Sequence, residues 1–268
     1  MSEKNKQKKV ITPVSKPFLR GDALDSATGK AALSFLAIWL IAVFMCLIVC
    51  LVALPDNATL RIVINLVIEG LVLMIFYASG ASRGTDAVSR SEIMYQRQEA
   101  GHEVSGKDRS LCFHTLKGFV NGLIGTLPLL IPAVVLALTA QKIMTSAGTL
   151  PSWISNYQNR SEVGDALISY TVQAPMTLTD ICRTAVRVLL MPLVSMVGAE
   201  NKDALLLLER LSPLAMLLPA IAYGLGYTRG PMQRTRVHTE IAQNIRKRKK
   251  KERRERKARM TKDPQQLN

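Results

Sequence analysis

The sequence predicts an all-α polytopic membrane protein with four transmembrane helices, an outer-face amphipathic or re-entrant helix and a basic cytoplasmic tail helix. Two properties of the chain support this, and they conflict unless they are separated along it. The 268 residues are 48% hydrophobic, yet they carry a formal net charge of +15. The basic residues are concentrated in residues 1–30, 80–117 and 228–268, with long apolar blocks between them. This segregation is typical of membrane proteins and argues against a soluble basic domain.

The first transmembrane helix pair is predicted in residues 31–79. Residues 31–54 form a run of 24 without a charged side chain. As a helix the run is about 36 Å long, enough to cross the hydrocarbon core with some tilt. Because it is too long for the apolar core of a cleavable signal peptide, we expect a retained signal anchor. Residues 60–79 form the second span, with Glu69 near its middle.

The second transmembrane helix pair is predicted in residues 118–227. Its first member, residues 118–140, contains Pro128 and Pro132. Proline is tolerated in membrane helices because neighbouring groups satisfy the freed backbone atoms, so we expect a bent third helix. The last apolar block, at about residues 204–227, is the fourth span.

A long outer-face segment, residues 141–203, separates the third and fourth spans. Within it, Thr177 and Asp180 have the spacing of a capping box and precede a helical block at residues 181–197. This block is apolar enough to raise the question of a fifth crossing.

The distribution of lysine and arginine decides the number of crossings. The segment that ends at Lys30 holds seven, the loop before the third span six and the tail from Arg229 fifteen, whereas the loop between the first two spans holds one. Cytoplasmic segments carry the excess of basic residues, so the three basic segments must share one side and the chain must cross an even number of times. We therefore predict four crossings, with residues 181–197 in or dipping into the outer leaflet.

The cytoplasmic ends of the second and fourth spans resemble each other. Tyr77-Ala-Ser-Gly-Ala-Ser-Arg83-Gly84 matches Tyr223-Gly-Leu-Gly-Tyr-Thr-Arg229-Gly230 at the same offsets, with four identities and a Ser/Thr pair. The aromatic and basic members of each copy are predicted headgroup anchors: Tyr77, Arg83, Tyr223 and Arg229. Two interpretations stay open. The chain contains a duplicated helix pair, or both helices simply leave the membrane through small residues and an arginine.

Glu69 is the most distinctive single residue. A carboxyl group near the bilayer centre is expensive and by default indicates a proton, ion or substrate site. We predict an intramembrane polar site of Glu69 with Asn65 and Thr126, and the arginines of the outer block are further candidate partners. The alternative is a buried, hydrogen-bonded group that joins helices.

Arg183 and Arg187 lie four residues apart on one face of the outer helical block. This outer-face basic pair is open to two interpretations. The pair binds an anion, or its side chains snorkel from an interfacial helix toward the lipid headgroups.

No motif for a known enzyme class, cofactor or metal is present in the sequence. Glu99-x-x-His102-Glu103 has the spacing of half a carboxylate metal site, but no second half accompanies it. His114 and His238 are isolated, and the four cysteines define no disulfide framework. We therefore expect a protein that is not an enzyme and has neither cofactor nor metal.

The polybasic tail is the strongest functional signal. Val237, Ile241 and Ile245 form an apolar stripe that can lie on the membrane surface. Residues 246–262 then contain twelve basic residues against two glutamates, so they form a solvated helix or a disordered segment. The predicted polyanion-binding residues are Arg246, Lys247, Arg248, Lys249, Lys250, Lys251, Arg253 and Arg254. The tail has no aromatic residue, which argues against recognition of single-stranded nucleic acid.

Two functions follow from these observations. In the first, the chain is a non-enzymatic membrane scaffold or partner subunit whose tail binds anionic lipid headgroups or a polyanionic complex, with a ribosome or another membrane protein as candidate partners and without sequence-specific nucleic-acid binding. In the second, it is a component of a small-solute or ion transporter with a mid-membrane site at Glu69. We expect a bacterial plasma membrane, with both termini cytoplasmic.

Overall fold

The computed structural model describes residues 13–52, 57–141, 177–198 and 201–260. Within these ranges the regular elements are helices, apart from one isolated parallel bridge between Arg20 and Phe113. In chain order the helices are α1 (Thr28–Val52), α2 (Ala58–Glu99), α3 (Gly106–Ser110), α4 (Lys117–Thr139), α5 (Leu178–Leu189), α6 (Met191–Val197), α7 (Lys202–Thr228) and α8 (Gly230–Met260).

Four of these helices, α1, α2, α4 and α7, are long and apolar enough to cross a membrane. The prediction of an all-helical chain with four such helices is confirmed. Their outward-facing side chains are large and apolar: Leu138 is 83% exposed, and Ile41, Met74 and Leu214 are each 64% exposed. Exposed apolar surface of this extent is typical of a protein in contact with lipid.

The second helix does not end where its apolar part ends. Helix α2 continues from Ala58 to Glu99 without a break, so the polar stretch after residue 79 is helical as well. No proline occurs between its ends, and the hydroxyls of Thr85 and Ser91 donate to carbonyl groups four residues earlier. Nothing in this stretch therefore stops helix propagation.

The outer block contains two helices. At the start of α5 the Thr177 hydroxyl accepts from the backbone N–H of Asp180, and the Asp180 carboxylate accepts from the backbone N–H of Thr177, which confirms the predicted capping box. The block breaks at Leu190, just before Pro192, and restarts as α6. The rest of the predicted outer-face segment, from residue 142 to 176 and at 199–200, lies outside the described residues.

The chain divides into two compact units. The polar unit comprises the described parts of residues 13–27, 78–118 and 225–260. The apolar unit comprises the described parts of residues 28–77 and 119–224.

The core of the apolar unit is centred on Phe35. Its ring centroid lies 5.0 Å from that of Phe76, 5.3 Å from that of Tyr223 and 5.9 Å from that of Trp39, so α1, α2 and α7 meet at one aromatic cluster. Leu136 of α4 is fully buried in the same cluster. Lipid tails are as apolar as these side chains, so tight packing contributes more to helix association here than removal from water does.

Glycines of α4 permit the close approach of its neighbours. A Cβ on Gly125 would lie 2.7 Å from the Ala32 carbonyl oxygen of α1, and one on Gly122 would lie 3.1 Å from the Ala220 carbonyl oxygen of α7. Small residues at such crossings let helix backbones touch, which is the usual way in which membrane helices gain packing energy.

The polar unit is held together by an even closer contact. A Cβ on Gly84 of α2 would lie 2.3 Å from the Tyr227 carbonyl oxygen, and one on Gly230 would lie 2.4 Å from the Gly84 carbonyl carbon. The Tyr227 ring stacks on the Phe113 ring at 5.3 Å with an angle of 6° between the planes. Backbone contact at Gly84 thus brings α2 against the start of α8.

We predict that Gly84→Ala destabilises the protein. The added methyl group meets backbone that cannot move without separating the helices, at a cost of about 1 to 3 kcal/mol. Gly70→Ala on the same helix is the matched control, because a Cβ there has nothing within 4 Å. Thermal unfolding of the detergent-solubilised chain should show a lower Tm for Gly84→Ala alone, and equal Tm values would contradict the contact.

Candidate functional site

Asn65 lies in a buried polar contact between α2 and α6. Its side chain is 2% exposed, and its amide group donates to the Arg61 carbonyl oxygen at 2.8 Å and to the Ser195 hydroxyl at 3.0 Å. The Cys50 thiol lies 3.6 Å from the Asn65 carbonyl oxygen. Asn65 therefore connects α1, α2 and α6 through polar groups.

The other two residues of the predicted intramembrane site are not joined to Asn65. Glu69 is half-buried, and no hydrogen bond or ion pair links it to another described residue. Thr126 is fully buried and donates its hydroxyl proton to the Gly122 carbonyl oxygen one turn earlier on α4. The structure does not gather these three residues into one cluster.

The groove between α1 and α2 offers no polar lining. It has a volume of about 350 Å³ and extends from Ile38 to Val49 on α1 and from Ile68 to Ile75 on α2. Apart from the Cys46 thiol, all the side chains that line it are aliphatic or Met45. Such a groove suits the acyl chain of a lipid. It has no polar groups to replace the water that a hydrated ion would lose on entry.

Arg183 and Arg187 come together on a carboxylate that the sequence analysis did not select. Arg183 Nε lies 3.1 Å from both oxygens of Glu209, and Arg187 Nη2 lies 2.7 Å from Glu209 Oε1. The Glu209 side chain is 4% exposed. Neither interpretation of the basic pair contained this arrangement, in which both guanidinium groups clamp one buried carboxylate of α7.

Asp180 extends this ion cluster. Its Oδ1 lies 3.2 Å from Arg183 Nη1. The side-chain and backbone hydrogen bonds from Thr177 lower the pKa of Asp180, which keeps the carboxylate charged at neutral pH. Arg183 also donates to the Gln141 carbonyl oxygen at 3.0 Å. The cluster therefore ties α5 to α7 and to the end of the α4 segment.

We predict that Glu209→Gln strongly destabilises the apolar unit. The substitution leaves two arginine groups without their shared anion, and breaking a buried ion pair from one side costs about 3 to 5 kcal/mol. Arg210→Gln is the matched control. Arg210 is the exposed neighbour of Glu209 on the same helix, and its replacement changes the net charge by one unit without touching the cluster. The measurement is the Tm in detergent, and a loss for Arg210→Gln as large as that for Glu209→Gln would refute the assignment.

The four predicted headgroup anchors occupy unlike environments. Tyr77 is 37% exposed, whereas Tyr223 is 3% exposed and packs on Phe35. Arg83 and Arg229 are both exposed. The two tyrosines of the repeated motif are thus not equivalent in the fold.

The glycines of the same motif do meet. Gly84 and Gly230, which end the two copies, form the backbone contact described above. Beyond it, Thr85 Oγ1 lies 2.9 Å from Gln233 Oε1. The segments that follow the two copies therefore run side by side in the polar unit, α2 beside α8.

A buried carboxylate fixes the first half of α8. Glu92 of α2 is 5% exposed; Arg234 donates to its Oε2 at 3.0 Å, and His238 Nε2 lies 2.8 Å from its Oε1. His238 is isolated in the sequence, but in the fold it is one half of this pair. The only hint in the sequence was Glu92 itself, which lies four positions after the apolar Val88 and therefore on the same helix face.

We predict that Glu92→Gln loosens α8. The loss of the charged acceptor removes about 2 kcal/mol from the contact of Arg234 and His238 with α2, given that Arg234 is partly exposed. Amide hydrogen exchange in residues 230–245 should then be roughly thirtyfold faster. Glu240→Gln on α8 is the control, because this exposed glutamate removes the same charge. Equal exchange in the two variants would rule out the clamp.

The predicted polyanion-binding residues lie on the second half of α8. Every residue from 246 to 257 is exposed. The ion pair between Lys251 and Glu255 is long, at 3.8 Å, and solvent-exposed, so it neutralises little of the charge. This stretch is a helical rod of basic side chains within the described chain.

The described residues contain no group of three or more His, Cys, Asp or Glu side chains that could hold a metal ion. No protein-family model, curated protein or solved structure matches the chain.

Proposed function

We propose that this chain is a non-enzymatic integral membrane protein that acts as a scaffold or partner subunit and presents residues 246–257 of α8 to a polyanionic partner. The observation that carries the proposal is the uniform exposure of the basic residues between 246 and 257. Charged side chains that serve packing are paired and buried, as at Glu92 and Glu209. The basic side chains from residue 246 to residue 254 are exposed and can contact another molecule.

The arrangement of the charges favours a partner that reaches several sides of the helix. Successive residues are rotated by about 100° in an α-helix, so the six consecutive basic residues from Arg246 to Lys251 point all around it. A flat membrane contacts one side, and charges on the other side stand about 10 Å away, where salt screens them. A folded RNA such as that of a ribosome offers phosphates in more than one direction. We therefore place a polyanionic complex ahead of anionic lipid as the partner of the rod.

Binding of this kind is independent of sequence. Lysine and arginine recognise phosphate, and the affinity falls steeply with salt because counterions are released. The rod has no aromatic side chain for base stacking. The proposal therefore includes no sequence-specific nucleic acid.

The same proposal places both termini in the cytoplasm of a bacterial cell, with α5 and α6 at the outer leaflet. The packing of the polar unit supports this orientation. The N-terminal segment, the loop before α4 and α8 belong to one compact unit; Leu19 N–H donates to the Ser91 carbonyl oxygen, and Val14 N–H donates to Thr239 Oγ1. Three segments that pack on one another lie on one side, and their lysine and arginine content favours the cytoplasmic side.

We predict that removal of residues 246–268 abolishes binding to ribosomes. The full chain and the truncated chain, each in nanodiscs of neutral lipid, are sedimented with ribosomes at 50 to 300 mM salt. The full chain should co-sediment at low salt and dissociate as salt rises, with a slope of about 0.7 to 0.9 per phosphate contact. A variant in which Lys247, Lys249, Lys250 and Lys251 are all arginine is the matched control, since it keeps the charge.

Two results contradict the proposal. Equal co-sedimentation of the full and truncated chains would show that the rod does not bind ribosomes. Stronger retention of the full chain on phosphatidylglycerol vesicles than on ribosomes would show that the rod binds lipid. A reporter fused after Asn268 that emerges on the outer face of the membrane would refute the orientation.

A further inference from the structure

A cleft of about 260 Å³ opens in the polar unit, away from the polybasic rod. The N-terminal segment, the residues just before α4 and the junction of α7 with α8 form its walls. The side chains that line it include two aromatic rings, Phe18 and Phe113, and three groups able to donate hydrogen bonds, Arg20, His114 and Thr115. The Thr228 hydroxyl also lines the cleft, but it donates to the Leu225 carbonyl oxygen at 2.8 Å.

The fold holds Arg20 at this cleft. The N–H of the following residue, Gly21, donates to the Phe113 carbonyl oxygen at 3.0 Å. A Cβ on Gly21 would lie 2.4 Å from the Cys112 carbonyl oxygen, so only glycine lets the segment approach this closely. The Phe18 ring packs edge-on against the Phe113 ring at 5.9 Å. Arg20 is therefore flanked on both sides by residues with fixed positions.

The polar groups of the cleft are suited to an anion. Its lining contains no acidic side chain, and no carboxylate among the described residues pairs with Arg20. His114 Nδ1 accepts from the Leu116 N–H at 3.3 Å, so in the neutral ring the proton is on Nε2, which is a donor. Arginine, imidazole N–H and threonine hydroxyl together form a donor set of the kind that binds phosphate.

The start of α4 adds to this preference. Helix α4 begins at Lys117, two residues after Thr115. The N-terminus of a helix carries partial positive charge and favours anions. Here the α4 terminus accompanies a cleft that contains the side chain of Arg20, which pairs with no carboxylate among the described residues.

The place of the cleft along the chain favours phosphate from a lipid over phosphate from solution. Thr228 is the last residue of α7 and Lys117 is the first of α4, two helices that are long and apolar enough to cross a membrane. Leu116 is 56% exposed and Leu225 is 50% exposed at these same ends. Exposed apolar side chains beside a cleft that contains a cationic donor are the arrangement expected at the depth of the lipid headgroups.

We propose that this cleft binds the phosphate of an anionic phospholipid headgroup, with Arg20 as the charged ligand and His114 and Thr115 as neutral donors. The site is independent of the partner of the rod, so either proposal can fail without the other. Its role is to select the lipid that surrounds the ends of α4 and α7.

The test uses the full chain in a neutral detergent and native mass spectrometry with three probes: dioctanoyl phosphatidylglycerol, dioctanoyl phosphatidylcholine and inorganic phosphate. The expected result is retention of phosphatidylglycerol over phosphatidylcholine and a loss of at least tenfold in its affinity in Arg20→Gln. Lys16→Gln is the matched control, because Lys16 is exposed on the same segment but lies outside the cleft. Arg20→Lys should recover part of the affinity, since it restores the charge without the planar fork.

The proposal is overturned if Arg20→Gln and Lys16→Gln retain phosphatidylglycerol equally well. It is also overturned if millimolar inorganic phosphate displaces the lipid completely, because the cleft then takes phosphate from solution. Arg20 is exposed, so its replacement leaves the fold intact, and an unchanged Tm of Arg20→Gln verifies this in the same samples.

Discussion

A charged side chain in hydrocarbon costs several kcal/mol, and this cost organises the whole chain. It separates the sequence into apolar runs and basic segments, and the preference of basic residues for the cytoplasmic side predicts that these segments share one side. The polar unit is the structural counterpart of that rule. Its three segments are far apart in sequence, yet Asp25 pairs with Lys117 and Glu92 with His238. Packing and charge thus favour the same grouping of the chain by independent routes.

The few buried charges follow a second rule, which is that each carboxylate has two cationic or hydrogen-bonding partners. Glu209 has two arginines, and Glu92 has Arg234 and His238. Replacement of such a group by an apolar one is often neutral for stability, whereas removal of one partner is costly. These clusters therefore fix which helices pair, α5 with α7 and α2 with α8, more than they raise stability. Glu69 has no such partner among the described residues, so its role at a transport site stays a prediction.

Local properties of the sequence could be predicted, and contacts between elements could not. The four long apolar runs and the capping box of Thr177 and Asp180 depend on neighbouring residues, so periodicity and spacing were enough to find them. The continuation of α2 to Glu99 was missed because a fall in hydropathy indicates where a chain leaves the membrane. The end of a helix is indicated by a helix-breaking residue or a cap instead. The partner of Arg183 and Arg187 was missed because Glu209 is more than twenty residues away, and one sequence carries no signal for such a pairing. The repeated Arg-Gly motif was found in the sequence. The backbone contact between Gly84 and Gly230 could be recognised only in the folded chain.

The charge density of α8 itself argues for a partner beyond topology. Orientation in the membrane needs only a modest excess of basic residues, and the two other cytoplasmic segments proposed here already supply seven and six. Like charges four residues apart oppose a helix by a few tenths of a kcal/mol per pair, and Arg246 with Lys250, Lys247 with Lys251, and Lys250 with Arg254 are such pairs. If the basic helix served only to orient the chain in the membrane, no interaction would compensate for this repulsion. A polyanion that lies along the rod would remove the repulsion and gain the phosphate contacts at once, so binding and helix stability would reinforce each other.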